Sequence, residues 1–181
     1  MKYTRLFGIL CLIFGVWLSV SAQEDDSAST TLLPIGGFYG DTFPGFVEAV
    51  LPHAGDDRVY ILVVPASFSY DPEVLIAEDL LINTYDADIR RRQLEEVCND
   101  MADLPCEVAL VPLYTNEAAN NEAVLDYLPE DLAGVYFLGG DQVIAMQIIA
   151  GSTLEAGLEE AFARGCRWVA IARGWRCCLL P

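Results

Sequence analysis

The stretch RVYILVVP, residues 58–65, is apolar on both faces and rich in β-branched residues. This pattern is typical of a strand inside a parallel sheet, where both faces are covered. Similar strands are predicted over residues 32–37, 107–112 and 134–140. Helical periodicity fills the intervals, over residues 46–51, 72–101 (unbroken, or in two pieces divided near Asn83-Thr84), 117–128, 141–150 and 153–163. This alternation predicts right-handed βαβ units and an α/β fold, a parallel-sheet, flavodoxin-like three-layer sandwich.

Residues 1–22 have the layout of a secretory signal peptide, with basic Lys2 and Arg5 before an apolar run over residues 6–20. The run is too short for a comfortable membrane span, and a retained N-terminal anchor is the alternative. Residues 23–31 (QEDDSASTT) are polar and acidic, which predicts a flexible leader. We therefore expect a secreted, periplasmic or extracellular protein with no stable membrane span after signal cleavage.

Charge and residue usage exclude several classes of function. The chain has 10 basic and 27 acidic residues, and the predicted mature part keeps eight Arg and no Lys. Without Lys there is neither a phosphate-loop lysine nor Schiff-base chemistry. A chain this acidic also lacks the basic footprint that nucleic-acid binding needs. His53 is the only histidine, so no metal cluster can be built on imidazole, and we predict neither a metal nor a cofactor.

The carboxyl ends of the predicted strands are the expected place for a ligand in such a sheet. Gly37 ends the first predicted strand, and Gly139, Gly140, Asp141 and Gln142 follow the fourth. We predict that the amides of the two later glycines face the ligand, that Asp141 caps the next helix and that Gln142 places its side-chain amide at the mouth. Exposed amides at a helix N-terminus suit an oxyanion or an anionic ligand. For Gly37, a simple turn glycine is the alternative.

Three side chains outside these turns carry less specific signals. Ser67 follows the strand at 58–65, but nothing beside it supplies a base, and such residues near turns are mostly caps. Cys98 and Cys106 flank a short polar turn. In an oxidising compartment they could form a disulfide between a helix and a strand, and the alternative is two half-buried thiols.

The run Gly139-Gly140-Asp141-Gln142 is one of several motifs that together point to a family. The others are Pro34-Ile35-Gly36-Gly37, Val63-Val64-Pro65-Ala66-Ser67, Gly151-Ser152-Thr153-Leu154 and the helix end at 159–165. With these motifs the chain resembles, from residue 33 to about 165, the cyanophycinase and peptidase E family of serine peptidases. The resemblance implies a class I glutamine-amidotransferase-like fold and peptide-bond hydrolysis by a serine at a strand-to-helix elbow. It further implies acidic peptide substrates, such as aspartyl peptides or a β-aspartyl-arginine polymer, with Gln142 as a candidate substrate contact.

The chain departs from the family pattern after Gly165. The family's next strand should end in Gly-[Thr/Asn]-Ser-Ala-Gly, but residues 166–181 read CRWVAIARGWRCCLLP, without a serine and without an acidic residue. If residues 169–173 are encoded GTG-GCA-ATA-GCG-CGG, a shift of one nucleotide reads Gly-Gly-Asn-Ser-Ala-Gly. We therefore interpret residues 32–165 as the N-terminal part of the peptidase-like domain and residues 166–181 as a tail translated out of frame. A naturally divergent end is the alternative.

Three functional hypotheses follow. The first is a secreted serine peptidase, of which this chain lacks the nucleophile and the downstream histidine; we expect such a chain to be inactive and marginally stable. The second is a non-catalytic α/β binding module. The third is an amidotransferase-like domain acting on glutamine, which needs a cysteine at the elbow. Cys166 comes too early in the predicted strand for that role.

Overall fold

The computed structural model describes residues 32–35, 39–68 and 75–171, which form one α/β unit. Its elements are β1 Leu32–Ile35, α1 Tyr39–Val50, β2 Val59–Val64, α2 Ala77–Met101, β3 Cys106–Leu110, α3 Asn116–Ala119, β4 Leu132–Phe137, α4 Gln142–Ile149, α5 Thr153–Ala163 and β5 Arg167–Ile171. Short 3₁₀ turns lie at Leu51–His53, Ala66–Phe68 and Glu122–Tyr127. The predicted signal peptide, the leader, Gly37 and the end of the predicted tail, residues 172–181, lie outside the described residues. Across the described ranges, no helix is long and apolar enough to cross a membrane.

The side chains of β2 divide between two apolar cores, as the strand period of two requires. Val59, Ile61 and Val63 belong to the core that includes α1 and α2. The intervening Tyr60, Leu62 and Val64 belong to the core that includes α4 and α5. All six residues are buried, so helices cover both faces of the sheet. The predicted α/β sandwich of three layers is therefore confirmed.

The five strands form one parallel sheet in the order β1-β5-β4-β2-β3. Because all strands run the same way, their carboxyl ends lie along one edge, which we call the carboxyl edge. The opposite one is the amino edge. β5 lies between β1 and β4, with Ile35 paired to Ile171 and Phe137 paired to Ala170. β5, the last of the described strands in sequence, thus lies inside the sheet, second from the β1 edge.

Helix α1 begins at Tyr39, well before residue 46, where the sequence pattern predicted its start. Pro44 lies inside the helix and lowers its intrinsic propensity. Phe43 and Phe46 are buried, however, and both rings pack against the ring of Tyr136 at centroid distances of 5.2 and 5.0 Å. Tertiary packing therefore overrides the local preference.

Two further helices can be compared with their predicted forms. α2 is the unbroken one of the two predicted alternatives, and it begins at Ala77; inside it, the hydroxyl of Thr84 donates to the carbonyl of Leu80 (2.7 Å). The helix predicted over residues 117–128 is split into α3 and a 3₁₀ turn. Asn121 causes the split, since its side-chain oxygen accepts the N–H of Ala123 (3.0 Å) and starts a new turn.

Covalent and ionic contacts fasten the amino edge. Cys98, near the end of α2, and Cys106, at the start of β3, form a disulfide with their Cα atoms 5.9 Å apart. Arg58, just before β2, donates to the carboxylates of Glu107 on β3 and Asp131 before β4. These groups join three neighbouring strands at the edge that is remote from the predicted ligand site.

Candidate functional site

The turn between β4 and α4 is the centre of the candidate site, and it packs tightly against the end of β2. The N–H of Leu138 continues the sheet by donating to the carbonyl of Val64 (3.0 Å). At Gly140 the backbone passes so close to Ser67 that an added Cβ would lie 2.6 Å from the Ser67 carbonyl carbon and closer still to its oxygen. Only glycine fits at this position without a backbone shift.

Ser67 ties the two strand ends together with both its side chain and its backbone. Its hydroxyl donates to the carbonyl of Leu138, and its own carbonyl accepts the N–H of Asp141 (2.9 Å). Ser67 is buried, and its hydroxyl proton is engaged by a backbone acceptor. Ser67 therefore has a structural role, and within the described part of the chain no side chain accepts its hydroxyl proton as a catalytic base would.

Asp141 caps α4. Its carboxylate accepts the N–H groups of Val143 (2.8 Å) and Ile144 (3.4 Å), which have no partner inside the helix. Gln142 is the first residue of α4 and is half-buried beside the turn. No hydrogen bond joins its side-chain amide to another described residue, so this amide remains available to a ligand.

Tyr39 occupies part of the predicted ligand site. Its hydroxyl accepts the N–H of Gly139 (3.0 Å) and donates to the carbonyl of the same residue (3.2 Å). Burial raises the pKa of Tyr39, which the hydrogen bond to Gly139 and the charge of Arg90 partly offset. The phenol is therefore protonated at neutral pH and able to donate. We predicted two ligand-facing amides, at Gly139 and Gly140; the N–H of Gly139 is bonded to the Tyr39 hydroxyl, and contact of either amide with a ligand stays a prediction.

The sequence pattern does not point to Tyr39, because Gly37 indicates a turn at the end of the first predicted strand and the predicted helix starts only at residue 46. A helical signal was present, since Tyr39, Phe43, Phe46 and Val50 recur at spacings of three and four. The contact with Gly139 itself spans 100 positions and has no local signature.

Of the two backbone amides of the turn, that of Gly140 remains for a ligand. Gly140 is exposed, and within the described residues no acceptor is bonded to its N–H. A single fixed N–H beside a capped helix N-terminus can bind a carbonyl oxygen or one oxygen of an anion. The arrangement thus suits recognition of a polarised C=O group.

The described residues supply no complete catalytic set. His53 ends the 3₁₀ turn that precedes β2, toward the amino edge, whereas Ser67 follows the carboxyl end of that strand. The two side chains therefore cannot form a Ser-His pair. Cys166 lies before β5, and burial raises the pKa of its thiol to about 12, which makes it a poor nucleophile. Among the described residues, no group of three His, Cys, Asp or Glu side chains could hold a metal ion.

Comparison with known proteins supports the architecture. No family model and no curated protein matches the chain. Among solved structures, the crystal structure of a peptidase from an acI-B1 Actinobacterium is similar, with a TM-score of 0.52 and 15% sequence identity. The match covers 77% of this chain and 52% of that one, so this chain spans about half the length of the peptidase structure. At this level of identity, the likeness shows a shared α/β fold and nothing further.

Proposed function

We propose that this chain is the N-terminal part of a secreted serine peptidase of the kind that cyanophycinase and peptidase E represent. The observation that carries the proposal is the meeting of the Gly140 amide, the Asp141 cap and the Gln142 side chain at the carboxyl edge of the sheet. In such a peptidase, the Gly140 N–H would bind the oxygen of the scissile carbonyl as negative charge develops on it. Gln142 would contact the peptide beside that carbonyl.

The register of β5 supports the proposed location of the missing nucleophile. Ala170 pairs with Phe137, so the carboxyl end of β5 lies next to the β4–α4 turn. In the shifted reading frame, the serine is encoded by the last base of codon 171 and the first two bases of codon 172. A serine at this end of β5 would lie beside the Gly139-Gly140 turn, as attack on a carbonyl held there requires.

This chain, as its sequence stands, has no serine after Ser152. We therefore propose that it binds carbonyl-containing ligands without hydrolysing them. The second candidate function is a binding module that is non-catalytic at full length. The absence of a serine after Ser152 favours it if no other reading frame of the gene encodes the nucleophile. The amidotransferase alternative has no support in the structure, because the Cys166 thiol precedes β5 and is buried.

The gene sequence through codons 164–176 is the first test. The peptidase proposal expects the shifted frame to read Gly-Gly-Asn-Ser-Ala-Gly and a histidine codon to follow downstream in that frame. A gene in which no frame encodes this elbow would reject the peptidase and favour the binding module.

An activity assay is the second test, with this chain and the shifted-frame protein as the pair compared. We expect the shifted-frame protein to hydrolyse an aspartyl dipeptide, and this chain to be inactive. Changing the elbow serine codon to alanine should abolish hydrolysis without loss of folded protein. Hydrolysis by this chain that disappears in Ser67→Ala or Ser152→Ala would contradict the proposal.

A further inference from the structure

We propose that Tyr39 is a positioning residue, which fixes Gly139 through its backbone and so orients the Gly140 N–H toward a ligand carbonyl. This inference rests on the proposed function of the β4–α4 turn. The role that it assigns to the Tyr39 side chain is exerted through the backbone of Gly139. We call the contact between the Tyr39 hydroxyl and Gly139 the Tyr39 clamp.

The clamp holds both polar backbone groups of Gly139. The hydroxyl accepts from its N–H at 3.0 Å and donates to its carbonyl at 3.2 Å. Both distances fall near the normal range for hydrogen bonds. Glycine has no side chain to restrict its backbone angles, so two hydrogen bonds to its backbone groups reduce its conformational freedom.

The other flank of Gly140 is held independently. The N–H of Asp141 donates to the carbonyl of Ser67 (2.9 Å), and the Asp141 carboxylate is engaged by the first turn of α4. Gly140 therefore lies between two fixed residues, and its N–H has no acceptor among the described residues. A donor that is oriented in advance stabilises developing charge without reorganising, which is the property that catalysis uses.

The Tyr39 side chain is itself held by contacts with two neighbours, as a positioning role requires. Its ring lies 5.7 Å from that of Phe43, and the guanidinium carbon of Arg90 is 4.7 Å from its centroid. Arg90 makes no ion pair within the described residues; its other contact is a hydrogen bond to the side chain of Gln93 (2.9 Å). The cation on α2 therefore helps to hold the phenol ring of α1 in place.

Amide hydrogen exchange of this chain, followed by NMR at Gly139 and Gly140, tests the clamp directly. Tyr39→Phe removes the hydroxyl and keeps the ring, so we expect exchange at Gly139 to become about tenfold faster, since two hydrogen bonds are lost. The Gly140 amide resonance should also shift. Tyr85→Phe is the matched control, because Tyr85 is 61% exposed on α2 and should change neither signal. Core amides such as that of Val63 report whether the variant is globally folded.

Kinetics of the shifted-frame protein separate positioning from a merely structural role. We expect Tyr39→Phe to lower kcat about tenfold while KM changes less than twofold, because the donor is misaligned mainly in the transition state. If Gly139 exchanges equally fast in wild type and Tyr39→Phe, or if kcat is unchanged, the inference is overturned. If the wild-type shifted-frame protein is inactive, the proposed function fails instead. Exchange at Gly139 then decides alone whether the clamp exists.

Discussion

Gly140 illustrates how one backbone contact specifies one residue. An alanine there would bring its Cβ to 2.6 Å from the carbonyl carbon of Ser67, so the β4–α4 turn must move. We expect Gly140→Ala to lower the free energy of unfolding by about 1–3 kcal/mol, as overpacking of a tight contact does. Urea unfolding measures this change.

Gly45 provides the matched control for that substitution. It is exposed within α1, and an added Cβ would have no neighbour within 4 Å. Gly45→Ala should therefore raise the free energy of unfolding by roughly 0.5–1 kcal/mol, because alanine favours the helix. Equal effects of the two substitutions would show that the Ser67 contact places no constraint on the turn.

At the residue scale, the sequence predicts local chemistry well and long-range chemistry poorly. The cap by Asp141 depends on amides two and three positions away, so its pattern can be read directly. The Tyr39 clamp depends on packing between the start of α1 and the end of β4, which no window of sequence contains. The sequence therefore predicts a ligand site at the β4–α4 turn. It does not predict that the Gly139 N–H is bonded to Tyr39 while the Gly140 N–H has no acceptor among the described residues.

The N-terminal cap of α4 gives a prediction at the scale of an element. Asp141→Ala removes the acceptor for two helical N–H groups, and we expect a loss of about 1 kcal/mol in the free energy of unfolding. Glu159→Ala, at an exposed position inside α5, is the control and should change stability by less than about 0.5 kcal/mol. Thermal or urea unfolding of the two variants makes the comparison, and equal losses would contradict the capping role.

The disulfide between Cys98 and Cys106 gives a second prediction for the same scale. It closes a short loop between α2 and β3, and the loss of loop entropy predicts a stabilisation of about 2–3 kcal/mol. A reductant should therefore lower the urea midpoint of the wild type. The double variant Cys98→Ala/Cys106→Ala should start at the lower midpoint and not respond to reductant. If reductant leaves the urea midpoint of the wild type unchanged, the disulfide does not stabilise the folded protein as predicted.

At this scale, the strands were easier to predict than the helix ends. A continuous apolar run such as residues 58–65 can be buried on both faces in few other ways. The course of α2 past Asn83-Thr84 and the split at Asn121 depend on whether a polar side chain finds a local backbone partner. A side-chain hydrogen bond to the backbone and the helical hydrogen bond differ little in free energy. Sequence alone therefore leaves open whether the helix continues or breaks at such a residue.

Arg58 and its two carboxylate partners connect three strands, and they give a prediction for the whole molecule. The Arg58 guanidinium lowers the pKa of Asp131 by hydrogen bonding to its carboxylate. A lowered pKa in the folded state means that the contribution is fully present above about pH 4, the unfolded value. It is lost as pH falls through the lower, folded pKa. We therefore expect wild-type stability to decline below pH 4.

Asp131→Asn tests this dependence, since the amide cannot titrate. The urea midpoint of the variant should be lower than that of the wild type at pH 6 and should approach it at pH 3. Asp126→Asn, at an exposed position in the 3₁₀ turn before β4, is the control and should keep the wild-type profile. If Asp131→Asn and the wild type differ by the same amount at both pH values, the ion pair does not cause the acid sensitivity.

The place of β5 in the sheet has a consequence for synthesis on the ribosome. Leu32 of β1 pairs with Trp168 of β5, and β1 has no other neighbour among the described strands. β1 is the first of the described strands to be synthesised, and it therefore stays unpaired until β5, the last of them, has been synthesised. During that time its backbone N–H and C=O groups face solvent or chaperones. A change of reading frame near codon 168 would alter the residues of β5 that pair with β1. Whether β1 is paired in the nascent polypeptide is thus decided only once residues 167–171 have left the ribosome.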